Sequence, residues 1–171
     1  MNRPLRLRIL KRHTSLELSS ADEFYETELM TRERLPDLEL SVFNVNDVVS
    51  DVVRTHAEYA ASFRDAPPGV REGIALSDCR ACDEVTVQGD TEFAFTRSQH
   101  RELHFLDARE LRELAASVVS TLAERRRGAE QESIRAYAHD RLSARDPEWL
   151  SACEKRPKWS KWALKAKVGA Q

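Results

Sequence analysis

The spacing of apolar and polar positions changes several times along the chain, and each change marks a predicted element. Leu5, Leu7 and Ile9 alternate with Arg6 and Arg8, a period of two that predicts a strand with one apolar face. Ser20 stands three before Glu23, a capping-box pair that opens a helix with Phe24, Leu29 and Met30 on its apolar side. Pro36 ends that helix, because proline disfavours helical backbone in the residue before it. From Leu38 to Val45 the alternation is clean. Leu38, Leu40 and Val42 share one face and Phe43 and Val45 the other. Asn46 is then placed to cap a second helix, over 47–64. There Val48, Val49, Val52, Val53, His56, Tyr59, Ala60 and Phe63 recur at three and four. Valines are poor helix formers, so the burial of that stripe has to outweigh their intrinsic preference. Pro67-Pro68-Gly69 stops the helix and is the main internal break.

After the break the pattern is one of short strands. Ile74-Ala75-Leu76 and Glu84–Gln88 are two, and a Gly89-Asp90 turn leads to a third carrying Phe93 and Phe95. Leu103–Leu106 form a fourth. Asp107 and Glu110 repeat the capping box ahead of a helix over 108–126, with Leu111, Leu114, Ala115, Val118, Val119 and Leu122 in one stripe. Its end, Arg125-Arg126-Arg127-Gly128, reads as cations at a helix C-terminus followed by a left-handed glycine cap. Helix is predicted again over 129–142, and Asp146-Pro147 is a cap with proline at the first helical position.

The sum is an α+β fold: a β-α-β-α start, antiparallel strands around a central hairpin, then a helical C-terminal third. The expected layout is a sheet of about five strands, with helices 47–64 and 108–126 packed on one of its faces. The β-α-β start leaves room for a parallel pair inside it. Residues 1–128 are expected to form the α+β domain and 129–171 a helical extension with a basic Trp/Lys-rich tail.

Composition agrees with one domain plus an appendage: 171 residues, 41% apolar and 33% charged. No apolar run approaches the ~18 residues of a spanning helix. The opening Met1–Arg8 mixes arginines with leucines, so it lacks the continuous apolar stretch of a signal peptide. Three cysteines, two of them close together, do not form a secreted disulfide framework. These features set a cytoplasmic expectation. Charge is uneven. From Lys155 to Gln171 there are six basic residues and no acids, which leaves 21 of the 27 basic residues against all 29 acidic ones in 1–154, a net of −8.

The one stretch where capable side chains gather is Cys79 to His104, in the order Cys-x2-Cys-x17-His-x3-His. Tetrahedral zinc takes two thiolates from a Cys-x-x-Cys turn and two further ligands, so Cys79, Cys82, His100 and His104 are the candidate metal set. A hairpin centred near Asp90 puts Cys82 opposite Ser98 and Cys79 near Arg101, within reach of His100. On a strand or a helix His104 can share a side with His100. Asp78 or Asp83 could replace one histidine. The middle spacing exceeds the ~12 residues of the familiar zinc finger, and both histidines precede the predicted helix. The plain alternative is two reduced cysteines in a loop and two ordinary polar histidines. A redox role is disfavoured, because a strand rather than a helix N-terminus follows Cys82.

The tail is the other candidate. Trp159 and Trp162 share a helical face among Lys158, Lys161 and Lys165, with Trp149 just upstream. Such a segment suits an acidic protein partner, or docking of the tryptophans onto the chain's own acidic body. A body of net −8 argues against nucleic acid. The chain has no Gly-rich phosphate loop and no Gly-x-Ser-x-Gly. His56, on the apolar stripe, reads as a hydrogen-bonded interior histidine. His139 and Asp140 read as solvent-facing. The leading expectation is therefore a non-catalytic interaction or adaptor module working through its C-terminal helices. A zinc-binding regulatory protein is the alternative, and an enzyme of unknown reaction the weaker one.

Overall fold

The computed structural model describes residues 4–11, 20–29, 38–67, 69–78, 83–87 and 91–165. Five strands form one sheet: β1 (Leu5–Ile9), β2 (Glu39–Val45), β3 (Gly73–Ala75), β4 (Asp83–Thr86) and β5 (His100–His104). Their order across the sheet is β3-β1-β2-β5-β4, and every neighbouring pair is antiparallel. The α+β class is as the sequence predicts. The parallel pair it allowed does not form: β2 returns directly beside β1, with Leu5 opposite Val45 and Leu7 opposite Phe43.

Eight α-helices accompany the sheet among the described residues. They are α1 (Ala21–Phe24, continuing as a π-helical turn Tyr25–Leu29), α2 (Val49–Phe63), α3 (Ala94–Gln99), α4 (Ala108–Ser120), α5 (Leu122–Arg125), α6 (Gln131–Ser143), α7 (Pro147–Lys155) and α8 (Pro157–Leu164). The caps at Ser20, Asp107 and Asp146 are formed, each side chain accepting from a backbone N–H of the first turn. The cap at Asn46 is not. The second helix starts after Val48, and the Asn46 amide instead donates to Asp51 Oδ2 at 2.7 Å. Val49 is consequently 80% exposed, and the apolar stripe begins at Val52.

Period-two alternation divides the sheet into two faces. Leu40, Val42, Ile74 and Leu103 join Phe24, Tyr25 and Leu29 and the α4 residues Leu111, Leu114, Ala115 and Val118 in one core. Leu5, Leu7, Ile9, Phe43, Val45 and Ala75 face the other way and meet Val52 and Tyr59 of α2. The two long helices thus lie on opposite faces, not on one as expected. Strands with apolar residues on both sides need cover on both. The far side of α2 packs a second core, in which Ala57, Ala60 and Ala61 meet Ile134, Ala138, Leu142, Trp149, Ala152, Cys153 and Trp159. The helical C-terminal third therefore packs on α2.

Two predicted details change with the fold. Phe93 and Phe95 lie at the start of α3, not on a strand. Phe93 is buried with its ring 5.0 Å from Trp149, while the Arg54 guanidinium sits 4.0 Å over Phe95, so contacts with helices override the local alternation. Gly128 is not a left-handed cap, since no described glycine has positive φ. It is instead a point of close backbone approach: a Cβ there would stand 2.8 Å from the Arg71 carbonyl oxygen. The chain around it bridges the outer edge of the sheet, with Arg71 opposite Ala129 and Ile74 opposite Arg126.

A candidate anion-binding cleft under the second helix

β1 and β2 pair only at Leu5–Leu7, and beyond that the two strands diverge. Arg8 fills the gap. Its Nη1 donates to the Ser41 carbonyl at 2.9 Å and its Nε to Glu28 Oε1 at 2.8 Å. Glu28 is itself buried on the π-helical turn and also accepts from the Lys11 backbone N–H at 3.1 Å. Over this gap lies the C-terminal half of α2. Between them is a cleft of about 540 Å³, lined by the cations Arg8, Lys11, Arg64 and Arg71, the carboxylates Glu28 and Glu39, and Ser41, Phe43, Tyr59 and Phe63 among others. An adjoining cavity of about 660 Å³ shares Lys11, Phe63, Arg64 and Arg71.

Arg71 is the unusual member. Only 4% of it is exposed, its Nε is sealed from solvent without a hydrogen-bond partner among the described residues, and no described carboxylate pairs with it. Its one described side-chain contact of note is the Tyr59 ring, 5.6 Å from the guanidinium carbon. Burial, and secondarily the nearby Arg64 charge, push its pKa down to about 10. Arg125, also buried, shows what satisfaction looks like. Arg125 donates to both oxygens of Asp78 at 2.6 and 2.7 Å, and to the Ala75 carbonyl at 2.9 Å.

The backbone holds this cation firmly. The Arg71 N–H donates to the Ala129 carbonyl at 2.9 Å and its carbonyl accepts from Ala129 N–H at 2.8 Å. Arg64 is fixed from the other side. It caps α2 through its N–H to Ala60, and its carbonyl accepts from Trp159 Nε1 at 2.9 Å. A tryptophan of α8 thus sets the end of α2 that carries the second cation.

Behind the cleft wall, the lining residue Ser41 shares a hydrogen bond of 2.5 Å with His100, and the His100 imidazole stacks on Phe43 at 5.1 Å. This is the spacing of a hydroxyl and a base, but the pair alone defines no reaction. Period two along β5 puts His100, Glu102 and His104 on one side, as the sequence allowed for the two histidines. They do not converge. His104 instead lies opposite Glu39, its Nδ1 3.6 Å from Oε1, and ligand atoms of Glu39, Glu102 and His104 lie within 4.8 Å of one another. Cys79 and Cys82 lie outside the described residues. The hairpin register is displaced from the one expected, because the connection holds α3: Asp83 faces His104 and Thr86 faces Arg101.

Of the tail residues, Trp149 and Trp159 are 1% exposed and belong to the second core, and Trp162 packs partly buried against it. Lys158, Lys161 and Lys165 are exposed. His56 is fully buried with its Nε2 at 2.8 Å from the Arg127 carbonyl, and burial lowers its pKa to about 4. His139 and Asp140 are at the surface. Sequence reasoning missed Arg64, Arg71 and Tyr59. Their one visible signal is a pair of arginines flanking the Pro67-Pro68-Gly69 break with no adjacent run of basic residues. It also missed Glu39 and Glu102, which only strand register joins to His104.

No helix among the described residues is long and apolar enough to cross a membrane. The chain matches no known family model, no curated protein and no solved structure.

Proposed function

We propose that the chain is a binding protein for a small ligand bearing a carboxylate or phosphate, held in the cleft between the sheet and α2. The observation that carries this is Arg71: a buried arginine lacking a described counter-charge, beside a second arginine in the wall of the cleft. Burying a lone charge costs several kcal/mol, and an anion from outside restores the balance. Arg71 and Arg64 supply the counter-charge and Tyr59 orients the buried guanidinium. The reading is one of recognition and assigns no reaction to the cleft.

The test compares thermal unfolding of the wild type and Arg71→Met in rising phosphate. Exclusion of the salt from the surface stabilises both proteins equally. A bound anion adds to the wild type alone, by about 2.7 kcal/mol at a hundredfold excess over Kd. Equal responses in the two proteins would remove the reading.

A second reading is a divalent cation at Glu39, Glu102 and His104, favoured by their convergence. Two carboxylates and one imidazole suit zinc or manganese. Native mass spectrometry with and without a chelator checks it: Glu102→Gln should abolish a metal adduct that the wild type keeps. The exposed lysines of α8 leave contact with an acidic partner as a separate proposal, which charge reversal at Lys158 and Lys161 tests in a pull-down.

A further inference from the structure

We infer that the anion in the cleft belongs to an aromatic ligand: an aryl or heteroaryl carboxylate or phosphate, not a small aliphatic acid. This rests on the anion reading above and adds the shape of the rest of the ligand. The cleft wall is a row of rings. Phe43 meets Tyr59 edge-on at 5.6 Å, and Tyr59 meets Phe63 at 5.0 Å with a tilt of 53°. All three line the cleft together with Arg64 and Arg71. Tyr59 ties the row to the cation, since the Arg71 guanidinium lies over its ring.

Phe63 is the informative member. It is the last residue of α2 and is half exposed, one turn beyond Tyr59 on the side that lines both cavities. Burying it against the chain's own residues would close the cleft. Left open, it offers an aromatic face to a flat partner next to two guanidinium groups. Arginine and ring faces side by side recognise a planar π-system and its charge at once. A cleft of about 540 Å³ falls within the usual range for such ligands and has room for a ring beside its acidic group. Ser41, held by His100, adds a hydroxyl to the same wall, suited to a polar ring substituent.

Isothermal titration of the full chain with two matched pairs tests this: acetate against benzoate, and methyl phosphate against phenyl phosphate. The two pairs also separate carboxylate from phosphate preference. The aromatic member of at least one pair should bind about tenfold more tightly than its aliphatic partner, the gain a single stacked ring commonly gives. Phe63→Ala, a change at a half-exposed position, should erase that gain and leave the aliphatic affinity as it was. Equal affinities within both pairs, with binding still lost in Arg71→Met, would overturn the aromatic inference and keep the anion reading. Failure of all four probes to bind would overturn both.

Discussion

Replacing Arg71 by methionine should make the ligand-free protein more stable, which is an uncommon expectation for a buried residue. Methionine keeps an unbranched stem of similar reach and removes the charge. The penalty removed can be sized from the depressed pKa. A pKa lowered from 12.5 to about 10 corresponds to about 3 kcal/mol of cost to the charged form. Against it stands the guanidinium's attraction to the Tyr59 ring, worth about 1 kcal/mol. The net gain is about 2 kcal/mol, or roughly 4–8 °C in midpoint for a chain of this size. The sign with pH agrees: a base with a lowered folded-state pKa destabilises the fold at every pH below about 10, and the penalty fades as pH rises from there toward 12.5. Urea unfolding of both proteins at pH 7 in a weakly coordinating buffer gives the difference, with unchanged m-values as the control for compactness. A loss of stability of 1 kcal/mol or more in Arg71→Met would show that the guanidinium is satisfied in the free protein, and the case for an external anion would go with it.

Other outcomes follow from neighbouring parts of the fold. His56, with a folded-state pKa of about 4 against 6.5, contributes stability that is complete above pH 6.5 and is lost as pH falls toward 4, about 3 kcal/mol in all. Urea unfolding at pH 7 and pH 4.5 should show most of that loss in the wild type and little of it in His56→Gln. Gly128→Ala should cost about 1–3 kcal/mol in the same assay, because its Cβ would press on the Arg71 carbonyl at 2.8 Å, and it should weaken the phosphate response through displacement of Arg71. Trp159→Phe keeps the ring in the second core but removes the donor to the Arg64 carbonyl, so about 1 kcal/mol of stability should go, together with part of the anion affinity measured by calorimetry. Trp159→Ala should cost about 3–5 kcal/mol, the usual range for emptying a buried aromatic site; a cost below 1 kcal/mol would mean α8 is not part of the fold's core.

The sequence was readable where one local rule acts alone. Alternation at Leu5–Ile9 and Leu38–Val45 gave two strands, because successive side chains of a strand point to opposite faces and each face meets its own surroundings. The caps at Ser20, Asp107 and Asp146 were readable because a cap is satisfied within its own first turn. The candidate site was much less so. His100 and His104 were seen as a pair because they are four apart, yet each takes its partners from β2: Ser41 for His100 and Glu39 for His104. Phe93 and Phe95 misled for the same reason. A local period of two cannot tell a strand from a helix start whose rings are claimed by Trp149 and Arg54.

By itself, then, the sequence determined the α+β class, the order of most elements, the helical C-terminal third and the interior state of His56. All of these follow from patterns within a few turns of chain. Tertiary structure alone decided that α2 and α4 lie on opposite faces of the sheet, and that Trp149 and Trp159 serve the second core. It also decided that Arg64 and Arg71 meet at a ring-lined cleft. The physical reason is that charge balance and burial are properties of a position in space. Arg71 resembles any surface arginine in the sequence, and only the crossing of α2, the divergence of β1 from β2 and the Ala129 bridge remove it from water and set it in the wall of the cleft.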